Sequence, residues 1–166
     1  MNLVTGARSG LGRFLQSRLD AVGFTRQDKV DVLRANLNDP YSAIIHCAFN
    51  VNRGITSHTL SDYLSDNMLL AQQLLALPHE KFIFISTSDV YPREYRAWCE
   101  DDEYSIDKVE GLYGLTKLMV ENIIKQKTDN YLILRPTALL GKDARPNSLY
   151  KVFSCWMLRI TKNINS

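Results

Sequence analysis

The sequence predicts an α/β fold, a doubly wound parallel sheet with helices on both faces. Three observations predict it. Short β-rich runs alternate with runs of helical period. KFIFIS at 81–86 is apolar without alternation, which suits a strand covered on both faces. A glycine-rich turn at 5–12 joins the first strand directly to the first helix.

Each element has its own signal. Asn2 to Thr5 is a short apolar strand. Leu11, Phe14, Leu15, Leu19 and Val22 fall on one face of a helix, and Gly23 is its stop signal. Phe24 to Arg26 reads as a very short second strand, and Val32 to Leu37 as a third. Ala43 to Phe49, AIIHCAF, reads as a buried strand. Leu60, Tyr63, Leu64, Asn67, Ala71, Leu74 and Leu75 share one face of a long helix, with Pro78 just past its end. Residues 92–112 are charged and irregular. A second long helix runs from Tyr113 to Lys127, and Tyr131 to Leu134 is a strand closed by Arg135 and Pro136. Ligands of such folds bind beyond the carboxyl ends of the strands.

A length of 166 residues favours one domain with a sizeable core. Hydrophobic residues make up 45% and charged residues 23%, which excludes a disordered chain, a collagen-like fibre and a disulfide-dense scaffold. A net charge of +2 gives no case for nucleic-acid binding. No apolar run has membrane-helix length, and MNLVTGARSG holds no signal-peptide stretch, so a cytoplasmic protein without a membrane partner is expected. Cys47, Cys99 and Cys155 form no CxxC, and His46, His58 and His79 form no HxxxH pair. The expectation is no metal site and a reducing compartment.

Three segments carry chemistry. The turn Thr5-Gly6-Ala7-Arg8-Ser9-Gly10-Leu11-Gly12 permits close backbone approach, and the helix after it offers N–H groups and a positive dipole end. The pyrophosphate of a dinucleotide is the natural guest, which makes Gly6, Arg8, Ser9, Gly10, Leu11 and Gly12 candidate cofactor residues. Tyr113-Gly114-Leu115-Thr116-Lys117 puts a phenol and an ammonium on one helix face. A phenol with a reference pKa near ~10 is a poor base at neutral pH. A nearby cation favours the phenolate, which can then exchange a proton with a substrate hydroxyl. Ser86-Thr87-Ser88-Asp89-Val90-Tyr91 places hydroxyls at the carboxyl end of a strand, where one can polarise a substrate oxygen. Each segment also has an ordinary structural reading: a tight turn, a surface Tyr–Lys pair and a capped strand end.

Together and in this order, the three segments resemble the extended short-chain dehydrogenases, the NAD-dependent epimerase/dehydratase family. The resemblance implies a Rossmann-like NAD(P)-binding domain. In that family a strand ends in S-[ST]-x-x-V-Y-G, whose second residue carries the catalytic hydroxyl, here Thr87. The single-domain branch places its serine closer to the tyrosine, where this chain has Glu100 to Asp102. The acidic run before YGLTK, Leu134-Arg135-Pro136, Asn67 on its helix, Ala48 after IIHC, and Asn36-Leu37 are further matches. The resemblance implies catalytic roles for Thr87, Tyr113 and Lys117. It implies cofactor contacts for Asn36, Leu37, Ala48, Asn67, Tyr113, Lys117 and Pro136. It also implies a nucleotide-sugar substrate and a homodimer formed by the helices near 60–77 and 113–127, with Leu70, Leu77, Met119 and Ile123 as contacts. A dehydratase is disfavoured, because Ser88-Asp89 stands where such relatives have Asp-Glu.

Two local departures are the TGxxxGxG spacing of the glycine turn and Pro92 in place of a glycine. Residues 1–141 are read as the NAD(P)-binding domain and 142–166 as an extension with one helix from Ser148 to Ile160. That extension would begin a missing or minimal substrate region. No acidic residue stands in Gly23-Phe24-Thr25-Arg26-Gln27, where NAD binders place one, and Arg26 and Arg8 suit a 2′-phosphate, so the reading favours NADP over NAD. The alternative to an oxidoreductase or epimerase is a non-catalytic dinucleotide-binding module.

Overall fold

The computed structural model describes residues 1–35 and 39–140. Asn36, Leu37 and the helix expected at Ser148 to Ile160 lie outside the described residues. The sheet has five parallel strands in the order β2-β1-β3-β4-β5: β1 Asn2–Thr5, β2 Ala21–Phe24, β3 Ala43–His46, β4 Phe82–Ile85 and β5 Tyr131–Leu134. The helices are α1 Gly10–Arg18, α2 Val30–Ala35, α3 Leu60–Leu64, α4 Leu70–Leu75 and α5 Gly111–Lys127.

Strand order reverses direction at β1. From β1 the chain crosses outward to β2, then returns past β1 to lay down β3, β4 and β5. Right-handed crossovers then put α1 on one face and the α3–α4 and α5 crossovers on the other. The crevice between the carboxyl ends of β1 and β3 is the switch point, where such sheets bind ligands. The core lies between the sheet and the helices, where Leu3, Ile44, Phe82 and Phe84 meet Ala71, Leu74, Val120 and Ile124, all with 0% exposure. Burying each large apolar side chain there contributes roughly 1.5–3 kcal/mol.

The structure corrects three sequence expectations. The first helix stops at Arg18, and Val22 and Gly23 belong to β2, where they register with Leu3 and Val4 of β1. Ladder pairing with β1 therefore outweighs the helical spacing of Val22. The expected strand at 32–37 is instead helical over Val30–Ala35. Val30 is buried and Leu33 packs on the core, a helical spacing, while Val32 is 54% exposed. The expected long helix at 60–75 is interrupted by a π-helical turn over Ser65–Leu69. β5 is an edge strand among the described residues, and its Tyr131, Leu132 and Leu134 remain partly exposed.

Candidate active site

At the end of β1 the Thr5 hydroxyl collects three bonds: to His46 Nδ1 at 2.8 Å, and from the backbone N–H groups of Cys47 and Ala48 at 3.1 and 3.0 Å. These fix the end of β3 against the glycine turn. Gly6 turns with φ +73, a left-handed conformation that favours glycine. Gly12 is buried in the first turn of α1, and a Cβ there would lie 2.6 Å from the Gly6 carbonyl carbon. Its glycine is therefore required by packing of α1 into its own turn, ahead of any phosphate. The first turn of α1 carries no acidic residue, so its N-terminal dipole is not offset by a local carboxylate.

Two further segments converge on the same crevice. β4 ends in Ser86 and Thr87, and the Thr87 hydroxyl accepts the Asp89 N–H at 3.2 Å to cap a 3₁₀ turn over Ser88–Val90. Gly114 brings α5 close to that turn, since a Cβ there would lie 3.1 Å from the Asp89 carbonyl carbon. This approach sets Tyr113 beside Thr87. Ser88 N–H donates to the Pro136 carbonyl at 3.1 Å, which seats the segment after β5 on the same rim. The result is a groove of about 340 Å³. Gly6, Ser9, Gly10, Leu11, Gly12, Ala48, Thr87, Tyr113, Lys117 and Pro136 all line it.

Lys117 is buried, 3% exposed, and its Nζ donates to the Ile85 carbonyl at 2.6 Å. The nitrogen also sits 3.9 Å from the Phe49 ring centre and 4.5 Å from that of Phe84. Burial pushes its pKa down to about 7, against smaller upward pulls from Cys47 and Glu121. Burial likewise pushes the Cys47 thiol up to about 12 and the His46 imidazole down to about 3. Tyr113 is half-buried, and its ring meets Phe49 edge-on with centroids 5.6 Å apart. Burial raises its pKa, the charge of Asp89 and the neighbouring Tyr63 add to that, and Arg53 and the Thr87 hydroxyl oppose it. In this structure Lys117 is bonded to the backbone, and its nitrogen stands 6.0 Å from the centre of the phenol ring.

Three of the expected cofactor residues stand outside the groove. Arg8 donates to Gln27 Oε1 at 2.5 Å, and Arg26 pairs with Asp66 at 2.9 Å. Asn67, buried in the π-helical turn, accepts the Asn50 N–H at 2.6 Å and donates to the Asn50 carbonyl at 3.2 Å. It thus braces the segment after β3 behind the groove wall. Among the described residues no cluster of three or more His, Cys, Asp or Glu could hold a metal ion.

Sequence reasoning missed the device that holds the rim together. Glu121, one turn after Lys117 on α5, is fully buried. It accepts hydrogen bonds from the Ser86 hydroxyl and from Arg135, whose Nε lies 3.1 and 3.2 Å and Nη2 2.6 Å from the carboxylate oxygens. Arg135 also donates to the Tyr91 hydroxyl at 2.8 Å. Burial alone would lower the Arg135 pKa, but its bonds to Glu121 and Tyr91 win and raise it. The sequence signal was a carboxylate on the buried face of α5 and an arginine beside Pro136. Asp28 was also missed: it lies just past β2, and its carboxylate accepts the Thr25 N–H at 2.7 Å and hydroxyl at 2.8 Å. Those bonds to Thr25 hold its pKa below the usual carboxylate value.

A model of the NAD dependent epimerase/dehydratase family matches residues 2–165. The chain belongs to this family. A search among curated proteins finds no match. Solved structures of similar fold include UDP-glucuronic acid 4-epimerase from Bacillus cereus, in complex with UDP-glucuronic acid and NAD. It has a TM-score of 0.73 and 22% identity, over 94% of this chain and 62% of that one. The dTDP-4-dehydrorhamnose reductase of Clostridium acetobutylicum ATCC 824 has a TM-score of 0.75 and 24% identity, over 93% of this chain and 58% of that one. That of Bacillus anthracis str. Ames, in complex with NADP, has a TM-score of 0.74 and 23% identity, over 98% of this chain and 59% of that one. This epimerase/dehydratase-family chain thus shares their fold and spans about three fifths of their length. No helix among its described residues is long and apolar enough to cross a membrane.

Proposed function

We propose that this chain binds a nicotinamide dinucleotide and serves an oxidoreductase or epimerase acting on a nucleotide sugar. The observation that carries the reading is the groove itself, whose lining gathers the glycine turn, Ala48, Thr87, Tyr113, Lys117 and Pro136. The residues fit such a cofactor. Gly6 leaves the turn open beside Ala48, where a Cβ would fall 3.1 Å from the Ala48 nitrogen. Backbone N–H groups of the turn and of α1 would hold the pyrophosphate. Lys117 would hold the nicotinamide ribose, and Pro136 would border the ring. The bound nicotinamide supplies acceptance and donation of hydride. The family membership and the dinucleotides bound in similar structures support the same reading.

The chain's own residues then have defined tasks. Thr87 presents its hydroxyl to the reacting substrate oxygen and polarises it. Tyr113 exchanges the proton of that oxygen as general acid or base. Lys117, when protonated, favours the phenolate against the burial and the Asp89 charge that oppose it. The choice between NAD and NADP turns on the mouth of β2. Arg8 is held by the neutral Gln27 amide, so it reaches a 2′-phosphate at less cost than Arg26, which would have to leave Asp66. NADP is favoured on that ground.

The homodimer belongs to the same proposal, with one contact revised. Leu77 is 2% exposed and belongs to the core, whereas Leu69 and Met119 are 47% and 44% exposed on the two helical segments. Light scattering at micromolar concentration checks it, and a monomer mass removes it.

Calorimetric titration with NAD and NADP tests the cofactor reading. Binding is expected in the wild type and lost in Gly12→Val, whose side chain collides with the Gly6 carbonyl. Failure of the wild type to bind either dinucleotide would falsify the proposal. The non-catalytic binding module shares the groove and is separated by turnover alone.

A further inference from the structure

Phe49 lines the dinucleotide groove and touches both members of the tyrosine–lysine pair. Its ring centre lies 3.9 Å from Lys117 Nζ, and its ring meets that of Tyr113 edge-on. Phe84 offers a second ring to the same nitrogen at 4.5 Å, and the Ile85 carbonyl accepts from it at 2.6 Å. A carbonyl and two rings therefore surround the Lys117 nitrogen.

These three walls are held differently. Phe84 and Ile85 belong to β4, which is paired on both sides within the sheet, and Phe84 is fully buried. Phe49 stands past the end of β3 in a segment without regular structure, and it is half-buried against the edge of the core. Of the three, it is the wall that can be changed without cutting into the sheet.

The titratable groups that face Lys117 do not do the work of these walls. His46 and Cys47, at and just past the end of β3, are uncharged between about 3 and about 12. Tyr113, on α5 itself, is held above the ordinary phenol value. Glu121, one turn further along α5, pulls on Lys117 less than burial does, and its carboxylate is engaged by Arg135. An ammonium taken out of water needs compensation, and the negative face of an aromatic ring supplies it. Such a contact acts on the charged form alone, so it opposes burial.

We propose that Phe49 is a positioning residue for Lys117: its ring holds the ammonium in place at the Ile85 carbonyl and stabilises its charge. The consequence for the reaction rests on the reading of Lys117 as the charge that holds the nicotinamide ribose and favours the Tyr113 phenolate. Phe49 acts through that charge and exchanges no proton itself.

The test follows the titration of Lys117 by NMR of the full chain carrying isotope-labelled lysine, without dinucleotide. The Lys117 signal is the one missing from Lys117→Met. Phe49→Leu keeps an apolar cover but removes the ring, so the Lys117 midpoint is expected to fall by roughly half to one and a half pH units. Phe49→Tyr keeps the ring and is expected to hold the wild-type midpoint. If Phe49→Leu does not fold, Phe49→Met carries the same comparison. A midpoint that rises towards the ordinary lysine value when the ring is removed would show that Phe49 only excludes water. An unchanged midpoint would show that the ring is not felt, and an equal fall in Phe49→Tyr would show that the ring is not the cause. Each of these three results overturns the inference. Dinucleotide binding is measured separately on the same variants. Its absence in the wild type counts against the proposed function and leaves the lysine titration standing, whereas intact binding with an unmoved midpoint counts against Phe49 alone.

Discussion

Arg135 Nη2 lies 2.6 Å from Glu121 Oε2, in an ion pair whose acidic side chain is 0% and basic side chain 12% exposed. The pair ties the middle of α5 to the end of β5, and through the Ser86 hydroxyl it reaches the end of β4. Three segments that line the groove are thus registered by one carboxylate. Removing one partner of a buried pair leaves the other charge without compensation, which typically costs about 3–5 kcal/mol. Glu121→Ala should lose stability of that order in urea denaturation. Arg135→Lys should recover only part of the wild-type value, because an ammonium cannot reproduce the two-nitrogen contact. A wild-type midpoint in Glu121→Ala would show that the network is dispensable.

Lys117 makes stability depend on pH in a defined window. Unfolded, it stays protonated up to its ordinary value of 10.5; folded, it is protonated only below about 7. Between these values the unfolded chain holds the extra proton, so raising the pH favours the folded state. Melting temperature of the dinucleotide-free protein should rise from pH 7 towards pH 9 relative to Lys117→Met, which lacks the group. Below pH 7 the two curves should run parallel. A difference that does not change across the window would mean that Lys117 keeps its proton when buried.

Tyr113→Phe separates catalysis from binding. The ring and its edge-on contact with Phe49 survive, and only the exchangeable proton is lost. Dinucleotide affinity should stay close to wild type. Turnover of nucleotide sugars under the proposed function, followed by nicotinamide absorbance or epimer exchange, should fall by ~10²–10⁴-fold. Activity unchanged by this substitution would remove Tyr113 from the chemistry.

Arg8 and Arg26 give the cofactor preference its own test. Arg8→Asp should shift the NADP/NAD affinity ratio towards NAD by repelling the 2′-phosphate. Arg26→Asp should shift it less, because the Arg26 guanidinium is already engaged by Asp66. Equal ratios in wild type and both variants would assign the choice to other groups at the mouth of β2.

Local chemistry made much of this protein legible. β1, β3, β4 and β5 are short apolar runs flanked by turn residues, and a strand buried on both faces needs little more than that. The glycine turn, the Thr87 strand end and the Tyr113–Lys117 spacing depend on near neighbours, so their meeting in one groove followed from the expected fold. Tertiary structure decided what depends on distant partners. Residues 30–35 became α2 because Val30 and Leu33 could reach the core together, whereas β-branched residues alone had suggested a strand. Arg26 found Asp66, forty residues away, a partner that no local pattern announces. Lys117 directed its nitrogen to the Ile85 carbonyl, and burial there set its charge. Neither Glu121 nor Arg135 has a near neighbour in sequence that announces the other; folding brings them together, and low exposure makes their pairing obligatory.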